Sequence, residues 1–263
     1  MKELYAASPL DQFKIHPIVD LNFGGVDVSL TNSALWMLIA IGAIIVFFFF
    51  ATRRASMIPS RIQGAAEVMY EFIFDLVRDT VGAEGRKFFP YVFTLFIFIL
   101  VANFFGMIPS IPGAPKEVHT FTTTSHLIVT FALAMLTITI VVIYGFWKNG
   151  LGFLRLFAPS GQPLPMYIIL IPVEVVSFLS RPLSLAIRLF ANMFAGHIIL
   201  KVFAGFIVSL FSAGGAFVLI GIFPFLGILA VTLLEFLIAA LQAYVFAILT
   251  CIYLSDAAHA ADH

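Results

Sequence analysis

The strongest constraint on this chain is a set of apolar stretches too long and too poor in charge for a water-soluble core. Residues 34–51, ALWMLIAIGAIIVFFFFA, carry no charge before Arg53 and Arg54. A bilayer's hydrocarbon core is about 30 Å thick and a helix rises about 1.5 Å per residue, so roughly 20 such residues cross it. Residues 34–52, 88–108 and 125–147 each read as one span, the second interrupted by Asn103. Composition agrees: 62% of the 263 residues are hydrophobic and 11% charged, and a mean hydropathy of +1.08 lies outside the soluble range. The sequence predicts an integral, all-α, polytopic membrane protein with the lipid bilayer as its solvent.

Residues 59–82, PSRIQGAAEVMYEFIFDLVRDTVG, differ. Pro59 suits a helix start, and Glu67, Glu71, Asp75 and Asp79 stand four apart on one face. Val68, Met69, Phe72, Ile73, Leu76 and Val77 form the other, which predicts an amphipathic helix along the membrane surface or against a partner.

Two further stretches are too long for upright spans. Residues 165–208 are apolar but contain Glu174, Arg181, Arg188, His197 and Lys201; the 165–201 part alone would run about 55 Å as one helix. Residues 215–254 would run about 60 Å, with Glu235 as their single charge. Each is expected to tilt steeply, break at Pro172, Pro182 or Pro224, or cross more than once. Gly214-Gly215 is the expected hairpin turn between them. Together with the upright spans these make one membrane domain over residues 1–263, with no internal repeat or second soluble domain.

Orientation follows from lysine and arginine in the loops. Arg53, Arg54, Arg61, Arg78, Arg86 and Lys87 crowd the loop after the first span, and Lys148 and Arg155 follow the third. The 106–124 loop holds only Lys116, and the N-terminal segment only Lys2 and Lys14. One crossing per long stretch then gives five crossings, N-terminus outside (periplasmic) and C-terminus cytoplasmic. A mixed-charge N-terminal stretch argues against a cleaved leader.

Polar residues inside the long stretches need a reason, because an intramembrane charge is costly. On an ideal helix Glu174, Ser177, Arg181, Ser184 and Asn192 fall within about 40° of Arg188. Arg181 can snorkel towards the headgroups; Arg188 is farther from a boundary and reads as a permanent cation facing a carboxylate. His197 lies on the opposite side of that helix. Glu235 and Gln242, seven apart, share a face of the last stretch. An antiparallel hairpin would bring His197 to Glu235, an imidazole beside a carboxylate, as a proton relay needs; Arg188 would look outward to another protein. A satisfied buried histidine, and Asn192 and Gln242 as hydrogen-bonding glue between helices, are the plainer alternatives. His16, His119, His126, His259 and His263 read as solvated.

The 14 basic residues balance the 14 acidic ones, and no basic cluster with interleaved aromatics suggests nucleic acid. Cys251 is the single cysteine, which excludes an internal disulfide, and one histidine with one glutamate is too small a set for a metal. No nucleophile elbow, phosphate loop, dinucleotide fingerprint or haem motif is present, so neither an enzyme nor a cofactor is expected.

RPLSLAIRLFANMFAGH (residues 181–197), the Gly-Gly turn, LLEFLIAALQAYVFAIL (233–249) and NFFGMIP (103–109) resemble subunit a of F-type ATP synthases, in the form found in alphaproteobacteria and mitochondria. The resemblance implies a non-catalytic stator in a bacterial inner membrane, beside a rotating ring of c subunits, with b-type peripheral-stalk subunits and the rest of the synthase as partners. By position Arg188 resembles the arginine that faces the ring carboxylate and separates two offset proton half-channels. His197, Glu235, Asn192 and Gln242 resemble residues of the outer half-channel, and Glu174 one on the inner side. Many bacterial members have the acid and the histidine exchanged between positions 197 and 235, which agrees with the two side chains meeting. A self-contained transporter and a purely structural anchor are the rival readings.

Overall fold

A computed structural model describes residues 17–19, 22–23, 26–27, 29–108, 123–158, 164–215 and 217–260. His16, His119, His263, Lys2, Lys14 and Lys116 lie outside them. The described chain is helical apart from two short antiparallel strand pairs near the N-terminus, which hydrophobic patterning did not suggest. β1 (Pro17–Val19) pairs with β4 (Leu30–Thr31), and β2 (Asn22–Phe23) with β3 (Val26–Asp27).

The helices are α1 (Asn32–Thr52), α2 (Arg61–Val81), α3 (Phe89–Gly106), α4 (Leu127–Asn149), α5 (Leu164–Ala213), the single turn α6 (Phe217–Ile220) and α7 (Ile222–Ala258). Among the described residues, five helical segments are long and apolar enough to cross a membrane: Asn32–Thr52, Phe89–Gly106, Leu127–Leu156, Pro165–Ala213 and Phe217–Ala258. In hydrocarbon no water can serve the backbone, so helices that satisfy it internally are the form such segments take.

α5 continues for 50 residues through Pro172 and Pro182, about 75 Å at helical rise. Neither proline ends it. The helix stops at Gly214 and Gly215, whose φ values of +70° and +59° lie in the left-handed region where a β-carbon is penalised. α2 starts at Ser60, whose hydroxyl accepts the Gln63 N–H at 3.3 Å, one of the donors a helix start leaves open. Its acidic residues Glu67, Glu71, Asp75 and Asp79 are exposed, whereas Ile73, Val77 and Val81 are buried. Val68 and Phe72, placed with the apolar face by periodicity, are exposed at 67% and 47%.

The chain divides into two compact units. One comprises residues 1–41, 100–126 and 189–242. Its tie points are Trp36 against Phe105, Phe104 against Phe236, and the Asn103 amide donating to the Ala239 carbonyl at 3.2 Å. The other comprises residues 42–99, 127–188 and 243–263. Rings of Tyr70, Phe74, Phe89 and Phe93 cluster there. The Tyr91 hydroxyl meets Thr137 Oγ1 at 2.8 Å, and the Asn149 amide donates to the Ala257 carbonyl at 2.7 Å.

Candidate functional site

Within the first unit the Gly214-Gly215 turn folds the end of α5 back on the start of α7. Phe203 lies against Gly227 and Phe211 against Gly221, so the two arms run antiparallel. That register brings Asn192 to Gln242: the Asn192 amide donates to Gln242 Oε1 at 3.2 Å. Closer to the turn, Glu235 packs on Gly196, where an added β-carbon would stand 1.8 Å from Glu235 Oε1 and 2.7 Å from its carboxyl carbon. The carboxylate thus rests directly on the α5 backbone, a position open to it only because residue 196 has no side chain.

Glu235 and Gln242 are 6% and 3% exposed, and Asn103 reaches α7 at Ala239, which lies between them on the same helical face. Glu235 Oε2, Gln242 Nε2 and Asn103 Oδ1 are buried with no hydrogen-bond partner among the described residues. The hairpin therefore carries a row of spare acceptors and donors along one side of α7, inside an otherwise apolar surface. Of these groups the Glu235 carboxylate can take up and release a proton, while the two amides can hydrogen-bond to it or to water but do not titrate.

His197 is half-buried, one residue beyond Gly196. The Glu235 carboxylate is seated on the residue next to His197, in the gap left by the absent β-carbon of Gly196.

In the second unit Arg188 is exposed on α5 and, among the described residues, has no hydrogen bond or ion pair. Ser184, one turn before it, is also exposed; Glu174 and Ser177 are half-buried. Arg181 does not snorkel alone: its Nη1 donates to Asp256 Oδ2 at 3.0 Å, and its guanidinium lies 5.5 Å over the Tyr253 ring. His126 is half-buried, not fully solvated. Among the described residues no three His, Cys, Asp or Glu side chains gather as a metal site requires.

The model of the ATP synthase A chain family matches residues 34–255. The chain is 54% identical over 258 residues to ATP synthase subunit a of Hyphomonas neptunium, covering 98% of both chains. It is 53% identical to the same-named protein of Maricaulis maris (96% of this chain, 97% of the other) and 52% to that of Mesorhizobium japonicum (95% and 96%).

This chain belongs to the ATP synthase A chain family.

The matched residues contain α2–α6, all but the last turn of α7, and the polar positions above except Asp256. Several features of this structure were not singled out as site residues by sequence reasoning: the Asp256 and Tyr253 contacts of Arg181, the Asn103 amide on α7, and Gly196 as the seat of Glu235. The signals available were weak. Asp256 lies two residues past the end drawn for the last apolar stretch, and an asparagine within a span shows polarity without showing what it reaches.

Proposed function

We propose that Arg188 is the fixed cation past which a mobile membrane carboxylate must move, and that Glu235, His197, Asn192 and Gln242 line the route by which its proton arrives. The chain is a non-catalytic, proton-translocating membrane subunit of an ATP synthase. The observation that carries the reading is the contrast at Arg188: an always-charged guanidinium, exposed, with no hydrogen bond or ion pair among the described residues. A cation in an apolar setting requires an anion, and a carboxylate on a partner surface supplies it for part of each cycle.

A carboxylate approaching Arg188 is more stable ionised than protonated, because an opposite charge within about 4–6 Å favours the charged form. It therefore gives up its proton there. The same positive charge repels a free proton and keeps the two access routes from joining. On the outer route the Glu235 carboxylate, seated on Gly196, takes up and hands on protons; the Asn192–Gln242 pair continues the polar row towards the middle of the hairpin. Glu174, about 21 Å from Arg188 along α5, lies on the inner exit. The ring of small c subunits supplies the moving carboxylates, and b-type stalk subunits hold the chain against rotation. The chain sits in a bacterial inner membrane, N-terminus periplasmic and C-terminus cytoplasmic, with α5 and α7 steeply tilted.

Arg188→Ala in the intact synthase, reconstituted in vesicles, is expected to abolish ATP-driven proton pumping while the complex still assembles. Normal coupled pumping by that variant overturns the reading.

A further inference from the structure

Two arginines on one side of α5 have opposite surroundings. Arg188 is exposed and unpaired among the described residues. Arg181, seven residues earlier and so about 10 Å away on nearly the same side, is held twice over. Asp256 Oδ2 accepts from its Nη1 at 3.0 Å, and the ring of Tyr253, 5% exposed, lies 5.5 Å beneath its guanidinium. All four residues belong to the same unit.

We propose that Asp256 and Tyr253 mask Arg181, so that a carboxylate travelling along α5 meets one cation and not two. The inference rests on the reading of Arg188 given above. A guanidinium cannot shed its charge at any cellular pH and binds carboxylates through paired N–H donors. Left open, Arg181 would hold an ionised carboxylate next to the place where Arg188 must release it, and the moving partner would dwell there. A resident carboxylate on α7 occupies that donor edge permanently, while the aromatic face sets the plane of the guanidinium. The side chains of Arg181 and Asp256 are 32% and 37% exposed. An ion pair so accessible adds little to folding stability, but it is close enough to a passing charge to decide what that charge encounters.

The test uses the complete synthase in inverted vesicles, with ATP-driven pumping and ATP hydrolysis read together for Asp256→Asn, Arg181→Gln, the double variant and Arg188→Ala. Masking predicts that Asp256→Asn lowers pumping by roughly tenfold, the effect of about one pKa unit of carboxylate stabilisation, and that adding Arg181→Gln restores it to within about twofold of wild type. A double variant no better than Asp256→Asn overturns the inference, as does normal pumping by Asp256→Asn. If Asp256→Asn does not assemble, Arg181→Gln alone decides: near-normal pumping is expected, and a loss equal to that of Arg188→Ala overturns masking. Normal pumping by Arg188→Ala removes the reading beneath it; loss there with normal pumping by Asp256→Asn removes masking alone.

Discussion

At Gly196 the space normally taken by a β-carbon is filled by the Glu235 carboxylate, 1.8 Å from where that carbon would stand. Alanine in a helix is ordinarily favoured over glycine by about 1 kcal/mol, so the sign of a substitution here is informative. Gly196→Ala is expected to lower both the melting temperature of the purified complex and its pumping, because the whole Glu235 side chain must leave its seat. Gly205→Ala on the same helix, with nothing within 4 Å of the added carbon, is expected to keep or raise the melting temperature. Equal effects at the two positions would show that the glycine seat is not what holds Glu235. Outside the spans, Glu84 accepts from Lys148 Nζ at 2.7 Å and from the Tyr144 hydroxyl. The Lys148 bond first, then the Tyr144 bond, hold its carboxyl below the ordinary 4.5. A depressed folded-state pKa stabilises above the unfolded value and loses that contribution as pH falls through the folded one. Glu84→Gln should therefore melt below wild type at neutral pH, and the gap should close in acid beneath pH 4.5; a gap that persists there would assign it to packing.

Among the elements, α2 shows both what patterning can and cannot tell. The acidic face of Glu67, Glu71, Asp75 and Asp79 was legible because charge avoids burial, and all four are exposed. The apolar face was legible only in part: Ile73 is 0% exposed but Val68 is 67% exposed. In a membrane protein, surfaces facing lipid and surfaces facing protein are both apolar, so hydrophobicity does not separate them. Ile73→Ala, which empties a fully covered site, should cost about 2–5 kcal/mol in thermal or denaturant unfolding; Glu71→Gln, on the open face, should stay within about 0.5 kcal/mol. For α5 and α7, excess length and the Gly-Gly turn announced the hairpin. The prolines misled as candidate breaks, since neighbouring turns absorb the bond each one removes. The residue-to-residue pairing was not legible, because angular position on one helix fixes direction but not the offset of the facing arm. Hence Gly196 was not singled out as the seat of Glu235, and Arg181, left to the headgroups, meets Asp256.

For the whole chain, the class of fold could be read from segment length and charge alone, because a bilayer admits few solutions; the two small strand pairs could not, being too short to carry a periodicity. Membrane orientation is testable with a single thiol. Cys251 is 0% exposed, so the native chain should give no background with an impermeant maleimide. Ser56→Cys, in the exposed segment after α1, should label in inverted vesicles and not in right-side-out ones; the reverse pattern would invert the proposed topology. Finally, the hairpin restricts how such a chain can change in length. One residue added between Gly215 and Glu235 turns everything beyond it by about 100° and shifts it by about 1.5 Å. Glu235 would then face away from Gly196 while Gln242 left Asn192. A step of seven or eleven residues in one arm would restore the direction but slide Glu235 about 10 Å or more past Gly196, so insertions and deletions are expected to survive only as compensating pairs, one in each arm, that restore the facing positions.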